Sequence, residues 1–347
     1  MKELYSVSPR WFPRIAATLG LILLLTACIP SSNPVYNHRT KLPDTFVDIT
    51  VIGAPKEQAR KAIAEVVDEL TSMHALWGSP DAPPLARTNH LLSTGKRFSV
   101  APSIMPLIKI GKRLYAKSNH LINPAAGKLN ALWGLQRQAG QACRPAPGQK
   151  QIDALISQNI GMDDIEIHGI QICARNPNVQ LDFTGLKRGY AIDLAIQRMQ
   201  ELGIENALVN IGGDLRAIGS RRGVPWRIAL RNPSGGGVLG SVDISGDESV
   251  FTAGDYVPSN RCNGIDRQHI IDPRSGRPIE HAYSVTVIHP SATIADAAAN
   301  ALFIAGPGKW RDIAHRLGVD QVLLVAANGK IEISNKMRHR ATLIGNR

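Results

Sequence analysis

Hydrophobic residues recur along this chain at two spacings, and each change of spacing marks an element. Thr45–Ile52 alternates in the manner of a strand. Lys56–Met73 then sets Ile63, Val66, Val67, Leu70 and Met73 on one face of a helix. Pro80 to Pro84 reads as a loop. Ile104, Leu107, Ile108, Gly111, Leu114 and Tyr115 predict a second helix, with Pro102 and Pro106 near its start. Residues 123–136, which contain NPAAGKLNALWG, read as a turn and a short packed segment, and the polar, proline-bearing stretch 137–148 as an exposed loop.

The stretch 179–219 predicts strand, glycine turn, helix and strand in succession. Thr184 is the expected cap of that helix, Ile192, Ala195, Ile196, Met199 and Leu202 its buried stripe, and Gly203 its stop. Ala207–Ile211 is a compact apolar strand. Trp226–Leu230, Val250–Thr252, His269–Ile271 and Tyr283–Ile288 predict further strands between Gly-, Asn- and Pro-rich turns. Helices follow over 291–305 and 308–317, and Gln321–Ala326 and Lys330–Ile333 close a hairpin across Asn328-Gly329. Strands and helices mix without βαβ repetition and without an internal repeat. The expected class is therefore α/β or α+β, with mixed, largely antiparallel sheets and packed helices.

The front end has a different character. Lys2, Arg10 and Arg14 precede an apolar run, Ile15 to Leu25, that is short for a membrane span and suits a secretory signal. It ends in Leu25-Thr26-Ala27-Cys28, which resembles a bacterial lipobox that would leave Cys28 as a lipidated N-terminus. This divides the chain into a signal peptide at 1–27, a flexible tether at 28–42 and one domain at 43–347. The protein is expected on the extracytoplasmic side, held to the membrane through Cys28.

Loss of Lys2, Glu3, Arg10 and Arg14 with the signal would lower the net charge from +12 to +10. A basic exported protein is drawn nonspecifically to anionic surfaces and phosphates. Its basic residues are scattered and no zinc-finger spacing is present, so nucleic acid is not an expected partner. Cys143 and Cys173 could pair in an oxidising compartment, but Cys143, Cys173 and Cys262 cannot all pair with one another.

Several residues stand out chemically. Asp182 precedes a turn in which Gly185 and Gly189 would let backbone approach a ligand, and strand 207–211 runs into Gly212-Gly213-Asp214. Two glycines after a strand are more often only a tight turn. The order also differs from the dinucleotide-binding GxGxxG, and no GxxxxGK[ST] loop exists. Asp296 lies in the apolar stretch ATIADAAANALF, with Asn300 one turn on. Two such oxygen donors suit a hard ion such as Mg²⁺; a carboxylate satisfied by a backbone turn or an arginine is the equal alternative.

The motifs taken in order resemble the ApbE family of FAD-dependent protein FMN transferases. LDFTGLKRGYAID at 181–193 resembles the family's LDxGGxAKGYAxD, and ALVNIGG at 207–213 its ALVNxGG. Pro225-Trp226, the TAGDY segment at 252–256, HIIDPRSGRP at 269–278 and INPAAGKLNALWG at 122–134 extend the likeness over most of 45–335. The resemblance implies one FAD site, in a cleft between the 181–214 block and the 269–278 loop. It implies Mg²⁺-dependent cleavage of the pyrophosphate and transfer of FMN to a threonine hydroxyl of an acceptor subunit in an electron-transfer protein.

Carried over residue by residue, the resemblance gives Phe46, Asp182, Gly185, Arg188, Gly212, Gly213, Tyr256, His269 and Arg274 as FAD contacts. It gives Asp296, Asn300 and the backbone oxygen of Lys187 as metal ligands. His269 is the expected proton acceptor and Asp272 its ordering or polarising partner. The chain departs from the pattern at Asn300, where the family has Thr, at Lys187-Arg188, where it has Ala-Lys, and at Asn123, where it has an acid. The N-terminal MGTxF segment is replaced by Pro43-Asp44-Thr45-Phe46. Two other readings remain open: hydrolysis of FAD to FMN and AMP, and a flavin-binding lipoprotein without turnover.

Overall fold

The computed structural model describes residues 33–43, 45–135, 145–233, 235–254, 261–262, 265–266 and 270–344. The first third gives β1 (Val35–Leu42), β2 (Thr45–Ile52), α1 (Lys56–Met73), a π-helical turn at His74–Gly78, α2 (Pro83–Leu92), α3 (Met105–Lys117) and α4 (Gly127–Leu132). The middle gives α5 (Gln149–Ile156), the hairpin β3 (Ile165–His168) and β4 (Gln171–Ala174), then α6 (Lys187–Glu201). After it come β5 (Ala207–Ile211), β6 (Asp214–Gly219), β7 (Trp226–Arg231), β8 (Val238–Ile244) and β9 (Gly246–Gly254). The last part gives β10 (Ala282–His289), α7 (Ala292–Ala305), α8 (Trp310–Leu317), β11 (Gln321–Ala326), β12 (Ile331–Ile333), α9 (Asn335–Arg338) and β13 (Ala341–Leu343).

Eight strands form one sheet in the order β1-β2-β5-β6-β9-β10-β11-β12, each pair antiparallel. Successive residues of a strand face opposite sides, and both sides here are covered. Phe251, Val285, Val287, Val322 and Leu324 join the core beneath the helices. Val250, Ile288, Leu323 and Val325 face the other way, onto Trp226, Val242 and Ile244 of a small sheet ordered β13-β8-β7. The helices α1, α6 and α7 lie over the first side, and α7 is buried on nearly all of its circumference because it lies in the middle of that layer.

The mixed, largely antiparallel architecture agrees with the sequence pattern, and the segments 45–52, 56–73, 207–211 and 321–326 form at their expected bounds. Other segments differ. Residues 35–42, assigned above to the tether, form β1 and pair with β2 along its full length. Most of its side chains are exposed, so VYNHRTKL carries no alternation to betray a strand that is held by its backbone. The strand expected ahead of α6 is replaced by extended chain with one parallel bridge, Ala126 to Gln180. Thr184 does not cap α6, which begins after Leu186 without a side-chain cap; its hydroxyl donates to Asp182 instead. The helix α2 and the hairpin β3–β4 were not predicted.

Candidate active site

The site is built where α6 crosses α7. Gly189, in the first turn of α6, faces Ala292 and Asp296; a Cβ there would collide with the Ala292 carbonyl oxygen and lie 2.8 Å from the Asp296 Cβ. This glycine serves helix contact rather than approach to a ligand, which corrects the sequence reading. The start of α7 is fixed by Asp193 of α6. Its Oδ1 accepts from the Ala292 N–H at 2.7 Å, and its Oδ2 from the Thr293 N–H at 2.9 Å, the Thr293 hydroxyl at 2.6 Å and the Ser291 hydroxyl at 2.9 Å. Arg216 neutralises the same carboxylate at 2.5 Å.

Asp296 is thereby set one turn into α7, among alanines, with 6% of its surface exposed. Its Oδ2 accepts from the Gly189 N–H at 2.9 Å and its Oδ1 from the Asn300 amide at 3.2 Å. Burial pushes its pKa up to about 7, and the Asp214 carboxylate adds to the rise; Arg188, the Gly189 amide and Lys187 oppose it. Asn300 points its Nδ2 at Asp296, donating also to the Asp296 carbonyl at 2.9 Å. Here it is a donor to the carboxylate, so its oxygen meets a shared metal only after the amide turns over.

Asp214 is a second buried carboxylate. It accepts from Arg188 and, at 3.0 Å, from the Thr252 N–H, while burial raises its pKa against both. It follows the Gly212-Gly213 pair, whose φ values of 65° and 104° make the turn from β5 to β6 one that glycine alone adopts easily. The Gly213 N–H donates to Asn210 at 2.8 Å. Arg188, expected as a flavin contact, is thus tied to Asp214. Lys187 donates its ammonium to the Gly78 carbonyl and, with Arg188, Thr45, His74 and Trp77, lines a small pocket beneath the sheet end. Phe46 faces outward instead, 48% exposed under the Arg39 guanidinium.

On the other side of α7 a cleft is lined by Asn123, Asn130, Asp182, Gly185, Ile271 and Asn300. The buried Asp182 carboxylate accepts from the Thr184 N–H at 2.9 Å, the Thr184 hydroxyl at 2.6 Å and Asn130 at 3.0 Å. It shapes the turn that brings Gly185 to the cleft, where a Cβ would meet open space. The loop after Ile270 closes one wall. Asp272 accepts from the Arg274 N–H at 2.9 Å and from its guanidinium at 2.7 Å, so it orders the loop. Trp133 donates to the Gly276 carbonyl at 2.8 Å and joins that loop to α4.

Cys28, Cys143, Tyr256 and His269 lie outside the described residues. Cys173 is a free thiol. With Glu166 and His168 it places three potential ligand atoms within 4.8 Å of one another on the β3–β4 hairpin. A thiol and an imidazole are soft partners for Mg²⁺, and Arg97 and Arg175 already flank this group. The residues fitting a hard cation are Asp296 and Asn300, where a buried carboxylate keeps a raised pKa although Arg188 and Lys187 lie near it. Asp193 and Asp214 carry no assigned role in the sequence reading, although Asp193 ends the 181–193 motif on α6 and Asp214 follows the Gly212-Gly213 turn.

Residues 44–323 match the ApbE family. The chain is 32% identical over 335 residues to the FAD:protein FMN transferase of Rhodobacter capsulatus, covering 94% of this chain and 62% of that protein. It therefore spans less than two thirds of that relative's length. With the FAD:protein FMN transferase of Klebsiella pneumoniae it shares 28% identity over 347 residues, 95% of this chain and 97% of the relative. The crystal structure of the ApbE protein from Thermotoga maritima superposes with a TM-score of 0.78 at 25% identity, covering 88% of this chain and 99% of that one. The apo form of the Pseudomonas stutzeri flavinyl transferase ApbE gives 0.75 at 26% identity over 90% and 99%. The chain belongs to the ApbE family.

Proposed function

We propose that this protein transfers FMN from FAD to a threonine hydroxyl of an acceptor protein, with Mg²⁺ bound at Asp296, and releases AMP. The observation that carries the proposal is the Asp296 carboxylate, buried in an alanine-rich helix of an ApbE-family fold and bonded to Asn300, which lines the cleft. Asp296 and Asp214 are two carboxylates buried close together, Arg188 pairs directly with Asp214, and burial still leaves Asp296 raised against Arg188 and Lys187, a balance that a divalent cation would improve. Asp296, Asn300 after an amide turn, and backbone oxygen at Lys187 would hold it. A Mg²⁺ ion there supplies charge neutralisation for the pyrophosphate.

The chain's own residues do the rest by positioning. Asp182 and Thr184 hold the turn that opens Gly185 to the cleft, and Asp272 and Arg274 hold the facing loop. The acceptor hydroxyl attacks the FMN-side phosphorus, its proton passes to His269, and the phosphorus–oxygen bond to AMP breaks. Water in place of the acceptor would give FMN and AMP. Cys28 is proposed as the lipidated residue that fixes the protein to the extracytoplasmic face of a membrane; among the described residues no helix is long and apolar enough to cross one.

The test uses purified protein, FAD, Mg²⁺ and a threonine-containing acceptor. AMP release with flavin bound covalently to the acceptor supports transfer, and AMP release without it supports hydrolysis. FAD binding with neither product leaves a binder. Asp296→Ala should lower the rate roughly a thousandfold, the equivalent of about 4 kcal/mol in the barrier, while FAD still binds and the circular dichroism is unchanged. A folded Asp296→Ala protein with near-native transfer under Mg²⁺ removes the assignment.

A further inference from the structure

The position of the tether fixes which end of this molecule meets the membrane. Gly53, after β2, donates its N–H to the Pro34 carbonyl at 2.9 Å. A Cβ on Gly53 would lie 3.8 Å from the Asn33 Oδ1 and 4.0 Å from the Asn206 Nδ2. Asn206 in turn accepts from the Ser220 N–H at 2.8 Å. Asn33 therefore stands beside the turn at 220–225. It is five residues beyond Cys28, and five residues span at most about 17 Å. A lipid on Cys28 keeps this end of the molecule close to the bilayer.

The turn is built to face outward. Arg221 and Val224 exchange backbone hydrogen bonds at 2.8 and 3.3 Å, and Arg222 and Gly223 have φ of 58° and 86°, the two positive angles of a type I′ turn. Gly223 also donates to the Ser220 hydroxyl at 3.1 Å. Arg221, Arg222 and Pro225 are exposed, and Val224 is 58% exposed. Neither arginine meets a carboxylate among the described residues. Lys56 at the head of α1 adds a positive charge at this end; Glu205 opposes it, while Arg227 is matched by Asp243 and Arg60 by Glu57. Two unmatched arginines, one of them at the tip, beside exposed Val224 and Pro225 fit phosphate-bearing headgroups over a hydrocarbon edge.

We propose that the 220–225 turn rests on an anionic bilayer surface and that the flavin cleft opens at the far end of the molecule. The proposal rests on the reading of Cys28 as lipidated. Its geometric consequence follows from β2. Thr45 lies seven residues from Ile52, about 23 Å along a strand, and it is at the Thr45 end that the Gly212 N–H meets the Phe46 carbonyl at 3.1 Å. Arg188, Gly212 and Gly213 are held that far from the membrane-facing turn.

Hydrogen–deuterium exchange of the full, lipidated chain tests this in phosphatidylcholine vesicles with and without phosphatidylglycerol, against the same protein in neutral detergent micelles. Residues 221–224 should exchange at least about fivefold more slowly on the anionic vesicles, with 184–186 and 212–213 unchanged. Arg221→Glu with Arg222→Glu, both at exposed positions, should abolish that protection while the lipid keeps the protein on the vesicles. Equal exchange of the turn in all three settings, or protection at 184–186 instead, overturns the orientation. The mass of the N-terminal peptide is read in the same samples. Unmodified Cys28 overturns the tether and the orientation together, whereas lipidated Cys28 with an unprotected turn overturns the orientation alone. Neither result bears on flavin transfer, because no turnover is measured.

Discussion

At the scale of single residues, the ionisation of Asp296 links stability to pH and, through the proposed site, to Mg²⁺. Its carboxyl has an ordinary value of 3.8 and a folded value of about 7. Between these the unfolded chain has released a proton that the folded chain still holds, so stability falls as pH rises; below 3.8 both states are protonated, and above about 7 the loss is complete. From pH 5 to pH 8 the metal-free protein should lose about 2–3 kcal/mol through this group, at roughly 1.4 per pH unit. Asp296→Asn should not lose it. Thermal unfolding would show the wild type dropping several degrees further than the variant over that interval, and Mg²⁺ at pH 8 should recover the difference in the wild type only. Equal pH dependence in both proteins would mean that Asp296 carries no penalty to relieve. Asn300→Thr makes a complementary case. It removes the amide that now donates to the carboxylate and offers a hydroxyl oxygen, so Mg²⁺-dependent AMP release should be retained or rise.

Among the elements, α7 depends on α6 for its placement, and Asp193 is the joint. Its carboxylate satisfies two backbone N–H groups and two hydroxyls at the start of α7 while pairing with Arg216. Loss of a helix cap costs about 1 kcal/mol, and the largely buried Arg216 would lose one of its two carboxylate partners, keeping Asp247 at 2.7 Å. Asp193→Ala should therefore lower the stability measured in urea by about 2–4 kcal/mol. The isostere Asp193→Asn should recover only part, since one amide oxygen replaces two carboxylate oxygens at the start of α7 and Arg216 then keeps Asp247 alone. A loss below 1 kcal/mol in Asp193→Ala would show that α7 is placed by its alanine packing alone. This joint also explains what the sequence made legible. Segments with one buried face, such as 56–73 and 207–211, announce themselves by period, and Asp296 was visible because a carboxylate interrupts an apolar run. The strand β1, exposed along most of its length, has no such signature, and neither does the short hairpin β3–β4. Apart from Thr184 beside Asp182, the partners of Asp182, Asp193 and Asp214 come from 23 to 100 residues away. No local pattern encodes them.

For the whole molecule, the length of β2 separates two ends, one near Asn33 that the proposed lipid on Cys28 would anchor and one near Gly212 that would carry the proposed flavin site. About 23 Å of strand lies between them, and the five residues from Cys28 to Asn33 would add at most about 17 Å. An acceptor threonine held flat on the same bilayer is then out of reach, whereas one carried two to three nanometres above it is not. The expectation can be measured with one acceptor peptide attached to vesicles through a short spacer or through a flexible spacer of about 30 residues, whose mean reach is roughly 30 Å. The lipidated protein on those vesicles should flavinylate the long-spacer peptide at least tenfold faster, read as covalently bound flavin fluorescence. Protein beginning after Cys28, free in solution, approaches from any direction and should show little preference. If the anchored protein modifies both peptides equally, the catalytic end is not held away from the membrane. If the soluble form shows the same preference as the anchored one, the spacer is acting on peptide accessibility, and the separation along β2 has no part in choosing the acceptor.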